Sequence, residues 1–396
     1  MRVCLVSYEF PPGGGGEASY VSGLAAGLGR RGHDVLVITP QTKLGKAAEA
    51  AFKIIPTRPG TAFLREMGFL FQAERIVSLL AERGRIDVVH VTFDYPTFFL
   101  RLKRFGVPCV ATVHHLHLAE ALSMLPYEPS APRKIAQMVR ASALTAFEER
   151  LVRQSAAVIA VSAFTAQTVR RLLSVPQEAL RTVKNGIDAK EFEDGNPRAF
   201  REKFPGLGDK TVLCVGRLER SKGLHYLIPA FARVVSRVPD ATMAIVGTGN
   251  EDYLRELTQS ARSAGISDRL IFTGRIPQDL LPHAYAASAV VALPSLMEGF
   301  GISALESMAA SRPCVATRVG AVPEVVRHRE TGLLVNPADS KGLADAFVEL
   351  LSDPDLGKEM GKKGLEVVKR DFSLERMTND TLGVYRSVVS GAKTPA

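Results

Sequence analysis

The sequence contains few cysteines, and none of them is placed to form a recognisable site. Four of the 396 residues are cysteine, and they are scattered without a C-x-x-C spacing: Cys4, Cys109, Cys214 and Cys314. Each stands beside apolar, strand-like residues, so free buried thiols in a reducing cytoplasm are the simplest interpretation. No zinc-ligand spacing is present. The D-x-D string at Asp353–Asp355 lies between predicted surface helices rather than at a strand end, and no metal site is predicted.

Long apolar runs are also missing. No segment approaches the roughly eighteen apolar residues that a membrane span requires. The N-terminus, MRVCLVSYEF, is too short and too soon followed by Pro11-Pro12 to be a signal peptide. We therefore expect a soluble, cytoplasmic protein. Because 396 residues exceed what one hydrophobic core usually covers, two domains are expected.

Charge is unevenly distributed along the chain. Residues 1–188 carry 23 Lys and Arg against 15 Asp and Glu, a net charge of +8, whereas the remainder carries 27 against 26. A basic surface attracts nucleic acid, anionic membranes or acidic substrates, and charge alone does not choose among them. No aromatic stacking platform accompanies the charge, so nucleic acid is not predicted as a partner.

The most informative stretch is Leu293–Glu306, LPSLMEGFGISALE. Ala289–Leu293 is wholly apolar and predicts a buried strand of a parallel sheet, followed by a glycine-bearing loop and a helix from about Ile302. Gly299 and Gly301 allow close approach of the backbone, and the first N–H groups of the helix, near Ile302 and Ser303, would face a ligand. This arrangement predicts a phosphate site.

Two carboxylates flank this predicted phosphate site. Glu298 precedes the helix, and Glu306 shares the helix face of Ile302 and Ser303. Carboxylates accept hydrogen bonds that sugar hydroxyls donate, so a ligand with phosphates between two polyols fits, as in a nucleotide-sugar. Alternatively, either Glu alone is an ordinary solvated residue.

The first half of the chain begins with a predicted βαβ unit. Strand Arg2–Tyr8 is followed by a loop rich in glycine, which includes Gly15 and Gly16, then by a helix over Ala18–Arg31 and a strand over Val35–Ile38. Ligands of such sheets bind at the edge where this loop lies. The glycines alternatively form only a mobile turn.

Further predicted strands of this half are Asp87–Val91, Val107–Val113 and Ala157–Val161, and residues 119–155, between the last two, are predicted to be helical. The second ends at His114, whose side chain would face the same edge of the sheet. Between the βαβ unit and these strands, Phe63–Leu80 has apolar residues near helical period and scattered arginines. A helix of this kind either packs its apolar residues in the core or lies on a membrane surface.

The second half repeats the pattern of strands and loops. Strand Thr211–Gly216 leads into a loop with two cations five residues apart, Arg217 and Lys222, a placement that suits a diphosphate. Strand Met243–Val246 runs into Gly247, and Leu270–Ile276 is a further strand and turn. No G-x-G-x-x-G follows the first strand of the chain, which disfavours a pyridine-dinucleotide oxidoreductase.

These motifs together resemble the retaining GT-B glycosyltransferases of family 4. Residues 298–309 spell the family's EGFG and E-x7-E signature; G-R-L-x-x-x-K-G at 216–223, Thr112–His114 and Asn185–Asp188 also match. The resemblance implies an α/β fold with two Rossmann-like, doubly wound parallel-sheet domains facing a central cleft. It places the domains at 1–188 and 189–372, with the final helix, 373–396, returning to the first domain.

The resemblance also implies residue roles. Catalytic roles fall to Glu298, His114, Arg217 and Lys222. The nucleotide-sugar would be held by Gly15, Gly16, Arg217, Lys222, Gly247, Ile276, Gly299, Phe300, Gly301, Ile302, Ser303 and Glu306. Five positions depart from the family's usual residues: Ala18, His115, Ser221, Ser311 and Ala321. The implied donor is a UDP-sugar or GDP-sugar, and neither a cofactor nor a metal is implied.

The implied activity is transfer of a hexose-type sugar, with retention, to a hydroxyl acceptor. The basic first half favours a lipid-linked or envelope-polysaccharide precursor as acceptor and an enzyme peripheral on the cytoplasmic leaflet. A soluble sugar phosphate is the alternative acceptor. A sugar-nucleotide epimerase of the same architecture and a non-catalytic binding module are the alternative functions.

Overall fold

The computed structural model describes residues 1–11, 15–40, 51–57, 65–93, 96–128 and 130–392. The chain divides into two compact units. Unit 1 comprises Met1–Gly186 and the chain from Leu374 onward, and unit 2 comprises Ile187–Ser373. The divisions predicted from sequence, at 188 and 372, lie within two residues of these limits.

Unit 1 is built on a seven-stranded parallel sheet. Its strands are β1 Arg2–Val6, β2 Asp34–Thr39, β3 Lys53–Pro56, β4 Val88–Thr92, β5 Cys109–Val113, β6 Ala157–Ala160 and β7 Leu180–Thr182. The spatial order is β3-β2-β1-β4-β5-β6-β7, with parallel register throughout. The order reverses between β1 and β4, which is where doubly wound sheets place ligands.

Helices cover both faces of the unit 1 sheet. They are α1 Gly16–Arg30, α2 Arg65–Glu82, α3 His117–Met124, α4 Ala131–Gln154 and α5 Ala163–Leu172. Cys4 and Val6 of β1 pack in a core with α2, α4 and α5, whereas Val3 and Leu5 pack in another core with α1. Alternate strand residues therefore supply two hydrophobic layers.

Unit 2 has a six-stranded parallel sheet. Its strands are β8 Thr211–Val215, β9 Thr242–Val246, β10 Leu270–Gly274, β11 Val290–Leu293, β12 Cys314–Thr317 and β13 Gly332–Val335. Its helices are α6 Lys190–Glu193, α7 Pro197–Lys203, α8 Leu224–Val235, α9 Glu251–Ser263, α10 Leu281–Ala287, α11 Ile302–Ala309, α12 Val322–Val325, α13 Ser340–Ser352 and α14 Pro354–Asp371. The order is β10-β9-β8-β11-β12-β13, so the reversal lies between β8 and β11.

The final helix, α15 Leu374–Ala392, packs in the same core of unit 1 as α1, through Leu374, Met377 and Tyr385. The predicted α/β class with two Rossmann-like parallel sheets is confirmed. The four cysteines are free and buried, as expected. Asp353 accepts a hydrogen bond from the backbone N–H of Leu356 and caps α14, so the D-x-D string has a structural role.

Several predicted elements differ in detail. Strands β3 and β7 were not predicted, because these short edge strands are largely polar or half-exposed. The helical region over 119–155 is two helices with a 3-10 turn, Leu125–Tyr127, between them. The predicted helix Phe63–Leu80 is described as α2 from Arg65, and Phe63 and Leu64 lie outside the described residues.

Candidate active site

The candidate site in unit 2 lies where the strand order reverses. The loop after β8 contains Arg217 and Lys222, and the loop after β11 contains Glu298. Because β8 and β11 are hydrogen-bonded neighbours and run parallel, both loops leave the sheet at the same edge. The backbone N–H of Leu296 donates to the Ser221 carbonyl at 2.7 Å, which ties the two loops together. The fold therefore brings two motifs that are distant in the sequence together in one site.

Lys222 and Glu298 form an ion pair at the centre of this site. The Lys222 Nζ donates to Glu298 Oε1 at 2.6 Å, and Ser295 Oγ donates to the same oxygen at 2.8 Å. The side chain of Glu298 is 10 % exposed and that of Lys222 is 26 % exposed. A carboxylate held by two donors in a nearly buried position is fixed in orientation, so it can present its remaining lone pairs to a ligand hydroxyl.

The backbone around Glu298 is fixed from the β12 side. Thr317 Oγ1 donates to the Ser295 carbonyl at 2.5 Å, and the N–H of Ala321 donates to the Glu298 carbonyl at 3.3 Å. Gly320 has a φ of +51°, and a Cβ atom there would overlap the Glu298 carbonyl. Glycine is therefore required at 320 for the close approach that positions Glu298.

Helix α11 begins at Ile302, as predicted, and its N-terminus follows Gly301. Gly301 adopts a left-handed conformation, with φ +92° and ψ +57°. The Gly301 carbonyl accepts from the N–H of Ala304 at 3.0 Å, so the N–H groups of Ile302 and Ser303 precede the first turn of intrahelical bonds. Just ahead of the helix, the buried Phe300 ring packs edge-on against Phe372, with ring centroids 6.0 Å apart. The start of the helix is thus anchored with its positive dipole end at the candidate site.

Arg217 lies beside Lys222 in the same small pocket, which Leu293, Pro294 and Ser295 also line. Its guanidinium contacts the Glu219 carboxylate at 3.2 Å, and the Arg217 side chain is 58 % exposed. An exposed arginine of this kind can reorient at little cost, since surface ion pairs contribute about 0–1 kcal/mol. Two cations therefore line one pocket at the start of the β11 loop, and the same loop leads into the N-terminus of α11. Both features suit a diphosphate.

Gly299, Gly247 and Ile276 complete the predicted set in this unit. Gly299 directly follows Glu298 in the β11 loop. Gly247 follows β9, and its N–H donates to the Gly274 carbonyl at 3.0 Å. Ile276 follows β10 and is half-buried. All three lie at the edge of the sheet that carries the Lys222–Glu298 pair, because β9 and β10 run parallel to β8.

Glu306 is buried in α11 and is hydrogen-bonded by a second buried side chain. The Tyr285 hydroxyl donates to Glu306 Oε2 at 2.6 Å. Burial raises the pKa of Glu306 to about 7, against the lowering effect of the Tyr285 hydrogen bond. An acid kept in a position that disfavours its charge is a candidate functional residue.

The raised pKa of Glu306 predicts a pH-dependent stability difference in Glu306→Gln. Between the unfolded value of 4.5 and the folded value of about 7, the native state binds more protons than the unfolded state. Stability therefore falls as pH rises through this window, and the cost is fully present above pH 7. We expect the free energy of unfolding of the variant to gain about 2 to 3 kcal/mol relative to that of the parent between pH 5 and pH 8. Urea unfolding of both proteins at pH 5 and pH 8 measures this gain. If the variant and the parent differ in stability by the same amount at both pH values, the raised pKa of Glu306 is contradicted.

The same variant tests the ribose role that the sequence resemblance implies for Glu306. A carboxylate accepts two hydroxyl hydrogen bonds better than an amide, so Glu306→Gln is expected to lose discrimination between ribose and deoxyribose nucleotides. Calorimetric titration with both kinds of nucleotide measures this. An unaltered preference for ribose would remove Glu306 from the role.

The predicted residues of unit 1 lie at the corresponding edge of its own sheet. Gly16 is the first residue of α1, and the N–H of Gly15 donates to the Glu9 carboxylate at 3.2 Å. His114 directly follows β5 and is buried, with its ring edge-on to Tyr20 at 4.7 Å. Its Nε2 has no hydrogen-bond partner among the described residues. Burial lowers the pKa of His114 to about 4, so its ring is neutral at pH 7.

The structure adds residues that the sequence motifs did not identify. Ser295 and Tyr285 donate to the two glutamates, and Tyr285 lies 21 positions before Glu306 without any local pattern. His115, noted in the sequence only as a departure, approaches Glu17 at 3.4 Å. Although burial lowers the pKa of His115, its hydrogen bond to Glu17 and nearby carboxylates raise it to about 9. Ser295 could have been found as the polar residue directly after Pro294 at the strand end.

The described part of the chain contains neither a cluster of metal-binding side chains nor a membrane-spanning helix. No group of three or more His, Cys, Asp or Glu side chains there is arranged to hold a metal ion. No described helix is both long and apolar enough to cross a membrane.

Comparison with known protein families and sequences identifies two matching family models and related proteins. The model "Glycosyltransferase Family 4" matches residues 14–191, and "Glycosyl transferases group 1" matches residues 196–367. The GDP-mannose-dependent alpha-(1-6)-phosphatidylinositol monomannoside mannosyltransferase of Mycobacterium tuberculosis is 33 % identical, over 93 % of each chain. The N-acetyl-alpha-D-glucosaminyl L-malate synthase of Bacillus anthracis is 27 % identical, over 96 % of each.

Comparison with solved structures supports the fold. HepE from Anabaena, in complex with UDP and glucose, superposes with a TM-score of 0.77 at 20 % identity. The match covers 98 % of this chain and 100 % of HepE. At this identity the likeness concerns the fold, and it agrees with two Rossmann-like parallel-sheet domains.

Proposed function

This chain belongs to the family-4, group 1 glycosyltransferases of GT-B architecture, and on that premise we propose that it transfers a hexose from a nucleoside diphosphate with retention. The observation that carries the proposal is the Lys222–Glu298 pair at the sheet reversal of unit 2, beside Arg217 and the α11 N-terminus. Cations suit the diphosphate, and a fixed carboxylate suits the hydroxyls of the sugar.

The proposed chemistry is electrostatic stabilisation of the leaving group. The bond between the sugar C1 and the β-phosphate oxygen breaks, and the acceptor oxygen bonds to C1 on the same face. The acceptor proton passes to the departing phosphate. Arg217, Lys222 and the N–H groups of Ile302 and Ser303 stabilise the negative charge that develops on that phosphate. In this proposal the charge is balanced by the protein's own groups, so the reaction proceeds without a metal.

The carboxylates serve the two polyol parts of the donor. Glu298 accepts hydrogen bonds from the transferred sugar, and Glu306 accepts them from the ribose. The Tyr285 hydroxyl keeps one Glu306 oxygen oriented and leaves the other to the ligand. A role for His114 at the donor sugar stays a prediction from the family pattern, to which its neutral ring and unpartnered Nε2 are suited.

The proposed acceptor is lipid-linked or an envelope precursor, reached at the cytoplasmic face of a membrane. A mannosyltransferase that is 33 % identical is named for a phosphatidylinositol acceptor. In unit 1, α2 buries Phe69, Leu70, Ala73 and Val77, yet on its other side it exposes three large apolar residues: Met67, Phe71 and Leu79. The helix thus contributes to the core and also offers apolar surface beside the exposed Arg75.

A panel of sugar nucleotides tests the proposed function. We expect calorimetry to show tightest binding for one UDP-sugar or GDP-sugar, and GDP-mannose is the first to try because the mannosyltransferase relative is named for it. Incubation of that donor with membrane lipid extract should release the nucleoside diphosphate together with a glycosylated lipid. Conversion of the donor to an epimeric sugar nucleotide without acceptor would instead identify an epimerase. Transfer to a soluble sugar phosphate alone would replace the lipid acceptor.

A further inference from the structure

Exposed large apolar side chains are concentrated on one face of unit 1. Among the described residues the set comprises Met67, Phe71, Leu79, Leu122, Ile135, Val139 and Phe164. All seven lie on α2, α3, α4 or at the start of α5, and the described part of unit 2 contributes none of them. These four helices pack against the same core of the unit 1 sheet, whereas α1 and α15 cover the other core. The exposed apolar residues therefore belong to one side of the unit.

The two most exposed of these seven side chains lie in the N-terminal half of helix α4. Ile135 and Val139 are each 65 % exposed. Of its 24 residues only Ala141, Glu148, Leu151 and Val152 are buried, so its N-terminal half has little core of its own. An uncharged outward stripe runs along this half, which we call the α4 face: Pro132, Ile135, Ala136, Val139, Ser142, Ala143 and Ala146, all exposed. Their spacing places them on one side of the helix.

The charges that accompany the α4 face are of one sign. Between Glu128 and Glu148 the sequence has no acidic residue, but it has Arg133, Lys134 and Arg140. Arg133 and Arg140 are exposed and seven residues apart, so they form a row along one flank of the stripe. An apolar stripe flanked by basic residues is the pattern of helices that lie in the interface of anionic membranes.

We propose that the α4 face docks on an anionic lipid surface, with Ile135 and Val139 inserted at the level of the headgroups and Arg133 and Arg140 on lipid phosphates. An anionic lipid surface accommodates both the apolar stripe and the basic row beside it. A second copy of the chain docked face to face would instead bring two rows of arginines together, and their like charges would repel. The inference rests on the lipid-linked acceptor of the proposed function and identifies the surface that reaches it. The sequence analysis considered a membrane contact for the Phe63–Leu80 segment and left it open, whereas this inference places the contact on α4.

The absence of tryptophan from the sequence allows a site-specific test. Val139→Trp creates a protein with a single tryptophan on the α4 face. We expect its emission to shift to shorter wavelength with vesicles of phosphatidylglycerol and phosphatidylcholine, and to be quenched when the lipids are brominated. Lys362→Trp, at an exposed position on α14 of unit 2, is the matched control and should show neither change.

The outcomes separate the possible contacts. A shift at Phe71→Trp without one at Val139→Trp would place the contact on α2 and overturn the proposal. A shift at Val139→Trp that needs no lipid and grows with protein concentration would identify a second copy as the occupant, which also overturns it. No shift with any vesicle would exclude membrane docking by this face.

Vesicle flotation of polar variants supplies the second measurement. Ile135→Gln with Val139→Gln keeps helix-forming side chains and should lower the partition coefficient on anionic vesicles about a hundredfold, since each apolar side chain contributes roughly tenfold. Arg133→Gln with Arg140→Gln should lower it about thirtyfold at low salt, since each basic side chain contributes about 1 kcal/mol. Arg262→Gln with Lys362→Gln removes the same charge from unit 2 and should have little effect. Parent-like flotation of both α4 variants would contradict the proposal.

Calorimetry on the same variants keeps this inference separate from the proposed function. All of them should bind the nucleoside diphosphate as the parent does, because the substitutions lie in α4 of unit 1 or away from the candidate site of unit 2. If flotation fails while nucleotide binding and donor turnover persist, the docking surface is wrong and the glycosyltransferase assignment stands. If no sugar nucleotide binds to the parent, the proposed function itself fails.

Discussion

Replacement of Lys222 by alanine is expected to weaken nucleoside-diphosphate binding by about 1.5 to 3 kcal/mol, the range for a hydrogen bond to a charged group. The residue supplies a cation at the edge of the sheet where the α11 N-terminus also lies. Its loss also leaves the Glu298 carboxylate with the Ser295 hydroxyl as its side-chain donor in the described part of the chain, which brings an unbalanced negative charge close to the phosphates. Titration calorimetry with UDP and GDP measures the change, and Arg217→Ala should act in the same direction.

The control for this prediction is Arg262→Ala in the same unit. Arg262 is exposed near the end of α9, and the chain enters β10 shortly after it, so it lies toward the opposite edge of the sheet. The Arg262→Ala substitution therefore removes the same charge as Lys222→Ala without altering the candidate site. Unaltered affinity in both Lys222→Ala and Arg217→Ala would exclude the diphosphate assignment, whereas an equal loss in Arg262→Ala would reduce it to a general charge effect.

Glu298→Gln is expected to have the opposite pattern: nucleoside-diphosphate affinity persists, and sugar transfer becomes much slower. The substitution removes the charge that pairs with Lys222, so the cation is more available to phosphate. It also replaces the acceptor for sugar hydroxyls with a weaker one. A loss of 2 to 3 kcal/mol in the transition state corresponds to a drop in turnover of about a hundredfold.

Comparison of affinities for the free nucleoside diphosphate and for the intact donor isolates the sugar contribution. In the parent, the donor should gain affinity from the Glu298 contact, and in Glu298→Gln this increment should disappear. Turnover of the variant at parent-like rates would remove Glu298 from the reaction. Weakened binding of the nucleoside diphosphate itself would show instead that Glu298 acts by holding the β11 loop in place.

The sequence predicted those parts of the site that local patterns encode. The strand at Val290–Leu293, the start of α11 at Ile302 and the loop with Arg217 and Lys222 follow from apolar runs and adjacent glycines. At Ser311, where the family pattern usually has glycine, the backbone keeps the left-handed conformation, with φ +54°. Each of these features depends on residues close together in the chain.

Contacts between distant residues were not predictable in this way. The Lys222–Glu298 pair joins residues 76 positions apart, and Tyr285 reaches Glu306 through the packing of α10 beside α11. Edge strands β3 and β7 carry too few apolar residues to stand out. For α2, periodicity could not separate a core helix from a surface helix, because one side of it is buried and its other side is apolar as well.

The most direct test of the account is an experimental structure of the protein with the nucleoside diphosphate that it binds best. We expect the phosphates within hydrogen-bonding distance of Lys222 Nζ and of the backbone N–H groups of Ile302 and Ser303, with Arg217 turned away from Glu219 toward them. The ribose hydroxyls should meet the Glu306 carboxylate. A nucleotide bound elsewhere on unit 2, with the Lys222–Glu298 pair and the Arg217–Glu219 contact unaltered, would contradict the central claim.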